Sequence, residues 1–454
     1  MNKKELLLKI DSKQASEIFS GLYGSSEIKA VRERYKLLIS EISKTSPDNF
    51  SENGDLHIFS APGRTELAGN HTDHNRGKVL AASVHLDNAA VVQKRNDNIV
   101  FFRSGNFPDV KVKLTDDSGA PDLQPKPEEQ GTTEALIRGI AASFGAAKGA
   151  AGGATGGFSA NALSNVLPGS GLSSSAALEM LLCRIFDCLY SEGKRTPLEI
   201  AQTGKFAENN YFGKPCGLMD QITCALGGAV AIDFSNEANP KIKQIKFDLA
   251  AADYALCVVN TGGSHANLTA DYASIPAEMK SAAAFFGKSV LGELEKETVL
   301  NSAAEVRKAL GDRALLRSLH FFDENKRVEA MTAALVEMEK AATNTAKQQA
   351  LMSYLDLVNE SGDSSWELLQ NVFSPSHPEA QGIVTALALT KNFFRNHKLQ
   401  GACRVHGGGF AGTIQAYIPL DAMGAYRSYI EGVFGAGAVT ELKIRDVGAV
   451  EVVL

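Results

Sequence analysis

The sequence contains no long run of basic residues, and its formal charge at pH 7 is −6. Proteins that bind the phosphate backbone of nucleic acids depend on clustered lysine and arginine side chains. The sequence therefore argues against a nucleic-acid partner. A small anionic ligand is not excluded by this overall charge.

Long apolar runs and paired cysteines are also missing. No stretch approaches the roughly eighteen apolar residues that a membrane-spanning helix requires, so we expect no membrane partner. The start, MNKKELLLKIDSK, has too short an apolar run for a secretory signal. Six scattered cysteines without metal-site spacing favour free thiols in a reducing cytoplasm. We separately expect the protein to be a monomer. The cysteines are Cys183, Cys188, Cys216, Cys224, Cys257 and Cys403.

The sequence does contain enough apolar material for a large core. Of its 454 residues, 44% are hydrophobic and 22% charged, and this length suggests two domains or one elaborated domain. Helical spacing predicts an N-terminal helical segment over 1–50. A first domain follows over 51–250, and a second, with a long helical region, over 251–454. The Gly- and Ala-rich stretch near 145–157 is typical of a surface loop.

A loop rich in glycine and serine precedes an apolar helix in LPGSGLSSSAALEMLLCRIFDCLY. Gly169 and Gly171 permit a tight loop, and the start of the helix would direct backbone N–H groups and a positive dipole end towards it. These features predict a phosphate site. It is not a Walker loop, because no Gly-Lys-Ser/Thr ending follows. The alternative is a serine cap with glycines that serve only the turn.

Asp220 lies among apolar residues in CGLMDQITCALGG, and Glu208 precedes it by twelve residues. A carboxylate in apolar surroundings is costly unless it is paired or used in chemistry. Near a phosphate loop, such an acid suggests either a base for a hydroxyl or a Mg²⁺ ligand. A helix cap or a structural salt bridge is the alternative for a single aspartate.

Two further stretches combine glycines with polar groups. GRTELAGNHTDHNRGKVL, from Gly63 to Leu80, crowds arginines, acids and histidines into one bend that suits neither a core strand nor a core helix. VHGGGFAGTIQAYI permits close approach of backbone to a ligand. A solvated turn is the alternative for the first stretch, and a tight turn between strands for the second.

In this order and spacing, the stretches resemble the GHMP family of small-molecule kinases, and the bend resembles the galactokinase signature of that family. The resemblance runs from about residue 55 to the C-terminus, with extra length near 145–157 and 285–350. The bend matches at Gly63, Arg64, Leu67, Gly69, His71, Thr72, Asp73, Asn75 and Gly77. The other motifs match at Gly169, Gly171, Leu172, Ser173, Ser174, Ser175 and Ala176, and at Gly407, Gly408, Gly409, Phe410 and Gly412.

The resemblance implies the α+β GHMP kinase fold, with two α/β domains and the active site in the cleft between them. It implies ATP and Mg²⁺ as cofactors, and phosphorylation of the C1 hydroxyl of galactose. Asp220 would be the catalytic base, and Arg64 would keep it ionised and stabilise the transferring phosphoryl group. The implied sugar-binding residues are Asn70, His71, Asp73, Gly217 and Tyr272. The implied phosphate loop is Gly169, Ser170, Gly171, Leu172, Ser173, Ser174 and Ser175, and the implied metal ligands are Ser174 and Glu208, although the choice among the three serines stays open.

The sequence departs from the family pattern mainly at the sugar site. The family's asparagine and glutamate appear exchanged in kind, its tyrosine after the signature aspartate is a histidine, and its arginine pair after the sugar-site tyrosine is absent. The residues at these positions are Glu66, Asn70, His74, Ile275 and Pro276.

These departures bear on which sugar is used. The amide of Asn70 can accept a hydrogen bond from the C6 hydroxyl, and Arg76 and Lys78 are the nearest spare cations. We expect galactose to be preferred over galacturonate with weak discrimination at C6, and Asn70→Glu to sharpen it. A kinase for galacturonate, N-acetylgalactosamine or arabinose is the main alternative, and a non-catalytic galactose sensor is the other.

Overall fold

The computed structural model describes residues 1–44, 48–52, 54–105, 107–146, 156–166, 169–263 and 268–454. Within these ranges the chain forms an eight-stranded and a four-stranded sheet with helices packed against both. The strands are β1 (Leu56–Ala68), β2 (Lys78–Lys94), β3 (Ile99–Ser104), β4 (Val110–Lys113), β5 (Phe158–Ser164), β6 (Ala229–Asp233), β7 (Lys241–Ile245), β8 (Tyr254–Asn260), β9 (Ala402–His406), β10 (Thr413–Pro419), β11 (Val439–Leu442) and β12 (Val450–Glu451). The helices are α1 (Lys3–Ile10), α2 (Lys13–Tyr23), α3 (Ile28–Glu41), α4 (Thr133–Ala146), α5 (Ser174–Tyr190), α6 (Pro197–Ala207), α7 (Met219–Leu226), α8 (Thr269–Phe285), α9 (Lys296–Asn301), α10 (Ala303–Leu310), α11 (Asp312–Lys340), α12 (Asn344–Ser364), α13 (Gly382–His397) and α14 (Met423–Phe434).

The larger sheet is built around β2, whose 17 residues are buried along most of their length. Its strand order is β12-β1-β2-β5-β3-β4, and β6 pairs with the first part of β2 and then with β7. All of these pairs are antiparallel except β3 with β5. The long antiparallel pairing of β1 with β2 fixes the two ends of the polar bend that lies between them.

Helices cover both faces of the larger sheet. The helical spacing of the first fifty residues appears as α1, α2 and α3, whose apolar sides share one core with β1, β2 and the C-terminus. Helices α4 to α7 bury their apolar sides against the opposite face. The Gly/Ala-rich stretch at 147–155 lies outside the described residues.

The smaller sheet, ordered β11-β8-β10-β9, is antiparallel throughout. Helices α13 and α14 share an apolar core with one side of it. Helices α11 and α12 belong to a second core that also includes residues of β2 and β8, so they connect the two sheets. In the described part of the chain, no helix is long and apolar enough to cross a membrane.

The last strand returns to the first sheet, since β12 pairs with β1 at Phe59 and Ser60. The larger sheet therefore contains a strand from the C-terminus, although the predicted division between residues 250 and 251 places the rest of that sheet in the first domain. That division stays a prediction from the sequence.

Candidate active site

The polar bend folds tightly at the end of β1. Gly69 has a φ of 93°, and a side chain there would collide with the backbone of Lys78 and Val79. The Thr72 hydroxyl closes the bend, because its single hydrogen is shared between the carbonyl oxygens of Gly69 and Lys78, at 2.9 and 2.6 Å. His71 adopts a left-handed conformation with a φ of 60°. The glycines and Thr72 thus provide the geometry that directs the bend's polar side chains.

The predicted phosphate loop packs directly against β1. The backbone N–H of Arg64 donates to the Leu172 carbonyl oxygen at 3.0 Å, and the Arg64 guanidinium donates to the Gly171 carbonyl. Ser173 is left-handed, with a φ of 56°, and α5 begins at the next residue. The loop therefore opens a helix of 17 residues, whose N-terminus favours an anionic group.

Arg64 and Asp220 form a bidentate ion pair next to this loop. Arg64 Nε and Nη2 donate to Asp220 Oδ1 and Oδ2 at 2.8 and 2.9 Å, and the Ser173 hydroxyl also donates to Oδ2. Burial raises the pKa of Asp220, but the Arg64 guanidinium and the Ser173 hydroxyl lower it by more than burial raises it. The net pKa of Asp220 therefore lies below its ordinary value. Asp220 is therefore an ionised and well-oriented carboxylate at neutral pH.

A second group of polar residues surrounds Glu208. Gln221 Nε2 donates to Glu208 Oε2 and to Glu179 Oε2, both at 3.0 Å, and Lys214 Nζ lies 3.4 Å from Glu208 Oε1. Burial and the nearby Glu208 raise the pKa of Glu179 well above its usual value. One amide thus holds two buried acids together, and the raised pKa of Glu179 favours its neutral form.

Both groups face one cavity of about 280 Å³. Of the residues predicted from the sequence, it brings together eight: Arg64, Asn70, His71, Asp73, Ser175, Glu208, Gly217 and Asp220. Ser175, and not Ser174, belongs to its wall. Gly171 and Ser173 reach the cavity indirectly through Arg64 and Asp220.

Three of the predicted sugar-binding residues, His71, Asp73 and Gly217, lie together in the wall of this cavity. His71 Nε2 lies 3.0 Å from the Gly408 carbonyl oxygen, and only a protonated nitrogen donates to a carbonyl. Burial lowers the pKa of His71 to about 4, so the ring is neutral and its Nδ1 is an acceptor. A Cβ at Gly217 would collide with the Asp73 carboxylate, so the close approach of these two residues requires glycine.

Tyr272 lies outside the wall of this cavity. Its hydroxyl donates to the Gly409 carbonyl oxygen at 2.9 Å, and its ring packs edge-on against Phe410, with centroids 5.3 Å apart. It lines an adjoining cavity of about 730 Å³ that shares His71, Asp73 and Gly217 with the first. Tyr272 is therefore next to the candidate sugar site rather than within its wall.

The two spare cations of the bend are engaged elsewhere. Arg76 Nη1 donates to Glu293 at 2.7 Å, and Lys78 Nζ lies 2.5 Å from Glu329. Neither lines the smaller cavity. Arg76 and Lys78 therefore offer no free cation to a carboxylate at C6 of a sugar in the smaller cavity.

Several residues of the site were assigned no role from the sequence, although Glu66 was noted there as a departure from the family pattern. Glu66, Lys214 and Gln221 line the cavity, and Arg404 and Asn371 bind the residues of its wall from behind. Lys214 and Gln221 lie within seven residues of Asp220, so their closeness in sequence to the predicted base could have indicated that they belong to the site. Arg404 and Asn371 carried no such signal, because Glu66 and Asn70, the side chains that they bind, are more than three hundred residues away in sequence.

A glycine- and serine-rich loop at a helix start, next to a bidentate Arg–Asp pair in a polar cleft, is the arrangement expected of a small-molecule kinase of the GHMP type. Matches to known proteins agree with this class. Residues 135–228 match the N-terminal domain of GHMP kinases, and residues 48–94 match the galactokinase galactose-binding signature.

Individual relatives narrow the class further. Galactokinase of Streptomyces coelicolor is 31% identical over 390 residues, which cover 84% of this chain and 89% of that protein. Galactokinase of Glaesserella parasuis is 28% identical, covering 86% and 92%. The chain belongs to the galactokinase family, and its kinase reaction uses ATP.

Solved structures support the fold. The Lactococcus lactis galactokinase complexed with galactose aligns with a TM-score of 0.71 at 23% identity, covering 91% of this chain and all of that one. Methanococcus jannaschii mevalonate kinase aligns with a TM-score of 0.57 at 13% identity, over 86% and 99%. The predicted α+β GHMP kinase fold is thereby confirmed.

Proposed function

We propose that the protein transfers the γ-phosphoryl group of ATP to the C1 hydroxyl of galactose. The observation that carries this proposal is the Arg64–Asp220 pair, which lines the cavity and contacts the phosphate loop through Gly171 and Ser173. A hydroxyl bound in the cavity would therefore meet a carboxylate on one side and the γ-phosphate on the other. The proposal also rests on the galactokinase relatives.

In this mechanism, Asp220 accepts the proton of the C1 hydroxyl as the oxygen bonds to phosphorus. Its lowered pKa makes it a weak base, which suits a loose transition state in which the hydroxyl loses its proton late. Arg64 holds both carboxylate oxygens and adds positive charge beside the transferring group. The Nδ1 atom of His71 and the carboxylate of Asp73 supply acceptors for sugar hydroxyls.

The residues around Glu208 fit a magnesium ion. Mg²⁺ prefers oxygen ligands and is commonly held by one or two carboxylates together with substrate phosphates. Glu208 supplies a carboxylate oriented by Gln221, and the presence of Ser175 in the cavity wall supports it, rather than Ser174, as the serine ligand. When bound, Mg²⁺ neutralises charge on the phosphates. Lys214 adds a second positive charge at the same place.

We also propose that the protein acts as a cytoplasmic monomer with an N-terminal helical segment and two domains divided near residue 250. The six free cysteines support a reducing compartment.

The test is release of ADP from ATP and Mg²⁺ with a panel of monosaccharides, including galactose, galacturonate, N-acetylgalactosamine and arabinose. We expect the highest kcat/KM for galactose, and galactose 1-phosphate as its product. A preference for another sugar would overturn the substrate while leaving the kinase class intact. Galactose binding without ADP release would instead identify a sensor.

A further inference from the structure

The exchange of residue types at positions 66 and 70 has a structural basis, because the two side chains touch. Asn70 Nδ2 donates to Glu66 Oε1 at 2.9 Å. The site therefore contains one carboxylate and one amide in contact, with the carboxylate on β1 and the amide just after the end of that strand. What matters for a ligand is which of the two side chains still has an atom to offer.

The amide of Asn70 is almost fully used by the protein. Its second N–H donates to the Gly407 carbonyl oxygen at 2.6 Å, and its Oδ1 accepts from Asn371 Nδ2 at 2.7 Å. An amide has two donor hydrogens and two acceptor lone pairs, so only one lone pair is left. Asn70 also is 1% exposed. It acts as a buried connector and is poorly suited to hold a sugar hydroxyl.

Glu66 has the complementary pattern. Its Oε1 accepts from Arg404 Nη2 at 2.8 Å as well as from Asn70, whereas Oε2 receives no hydrogen bond from the described residues. Glu66 lines the cavity beside Arg64 and Asp220. The oxygen left over by the protein is thus on a residue of the cavity wall.

Arg404 explains how a carboxylate is kept at this position. Its side chain is fully buried and also donates to the Leu67 carbonyl oxygen at 2.7 Å. A buried arginine stays charged and requires a partner, so Glu66 and Arg404 stabilise each other. Burial raises the pKa of Glu66, and the neighbouring Arg404 and Arg64 oppose that rise by favouring the carboxylate.

We propose that Glu66 determines sugar specificity by accepting a hydrogen bond from one hydroxyl of the bound sugar through Oε2, a role that Asn70 does not perform. This inference rests on the proposed function, since it takes galactose as the ligand. It also changes the expectation for Asn70→Glu. A second carboxylate would lie against Glu66, and like charges in contact disfavour each other, so this variant is expected to weaken the site rather than sharpen it.

The test combines enzyme variants with deoxy sugars, measured as binding by calorimetry. Dissociation constants of galactose and of its 1-, 2-, 3-, 4- and 6-deoxy forms are compared for the wild type and Glu66→Gln. Gln keeps the shape and one acceptor but removes the charge. We expect it to weaken galactose binding about 10- to 100-fold, the usual worth of a hydrogen bond to a charged group. For one deoxy sugar, the loss caused by Glu66→Gln should nearly vanish, which identifies the contacted hydroxyl.

Asn371→Ala is the matched control. It disturbs the same network through Asn70, but Asn371 does not line the cavity. Its effect on affinity should be the same for galactose and for every deoxy form. If Glu66→Gln does not fold, Glu66→Asp keeps a negative charge near Arg404 while withdrawing the carboxylate by one methylene, and the same selective loss is expected.

The outcomes separate this inference from the proposed function. A loss of affinity that is equal for all six sugars would show that Glu66 acts only through the packing of Arg404, and would overturn the inference. Failure of the wild type to bind galactose would overturn both proposals. Galactose binding without phosphorylation would overturn the proposed function alone, because the deoxy-sugar comparison needs no turnover.

Discussion

Replacing Asp220 with asparagine is the most direct test of the mechanism, because it keeps the size of the side chain and removes its charge and basicity. Asp220 accepts three hydrogen bonds, two from Arg64 and one from Ser173. An amide offers only one oxygen, so its NH₂ group must face another donor. The variant therefore loses the base and also disturbs the orientation of Arg64.

The size of both effects follows from the site. Loss of a general base costs about 10²- to 10⁴-fold in turnover, which is roughly 3–5.5 kcal/mol of barrier. Lost hydrogen bonds to a charged group cost about 1.5–3 kcal/mol of the free energy of unfolding, and less here because about a third of the Asp220 side chain is exposed. We expect a folded protein with a lower melting temperature and a kcat reduced at least 100-fold.

The assay is steady-state ADP release at saturating galactose and MgATP, with galactose binding and thermal unfolding measured on the same samples. Ser173→Ala is the control, since it removes one hydrogen bond to Asp220 but leaves the carboxylate and Arg64 in place. We expect that control to keep kcat within about tenfold of the wild type, as loss of a single positioning bond would. A folded Asp220→Asn protein with a kcat within tenfold of the wild type would refute the base assignment.

Two other predictions concern the metal and the response to acid. Ser175→Ala should raise the Mg²⁺ concentration needed for half-maximal activity about tenfold or more. Ser174→Ala should leave that concentration nearly unchanged, because Ser174 is outside the cavity wall. Equal effects of the two substitutions would contradict Ser175 as the serine ligand of Mg²⁺. Burial lowers the pKa of His406 to about 3. As the pH falls below about 6.5, the unfolded chain binds a proton at this histidine and the folded protein does not. The folded protein therefore loses stability as the pH falls from about 6.5 towards 3. The raised pKa of Glu179 acts in the opposite direction, so the measurement is the difference between the wild type and His406→Gln in urea unfolding at pH 7 and 5. The wild type should lose about 1–2 kcal/mol more than the variant between these values, and parallel pH dependence would show that His406 does not contribute.

Much of the architecture was predictable because it depends on local sequence. The bend, the phosphate loop and the stretch around Asp220 are short motifs, and glycines at fixed positions set their backbone geometry whatever surrounds them. Their order and spacing were enough to predict the family and the fold. They were also enough to predict that Arg64, Asp73 and Asp220 would share one site.

The roles of individual side chains at the sugar site depended on contacts that no local pattern contains. Asn70 has the chemistry of a ligand-binding residue, but Gly407 and Asn371, both supplied by distant parts of the chain, consume its hydrogen-bonding capacity. In the same way, the sequence indicated that Lys78 was a cation available to a ligand, whereas in the structure it is paired with Glu329 of α11. Whether a polar group is available to a ligand is decided by the partners that folding places around it.

Glu66 shows this division most clearly. Its sequence revealed only that a carboxylate stands where the family has an amide. The buried Arg404, 338 residues further along the chain, stabilises that carboxylate through Oε1, and Glu66 lines the cavity. Local sequence determined the backbone geometry of the site, because turns and helix starts form from neighbouring residues. Tertiary structure decided which side chains line the cavity with unused hydrogen-bonding atoms, because a buried charge persists only where a distant partner compensates it.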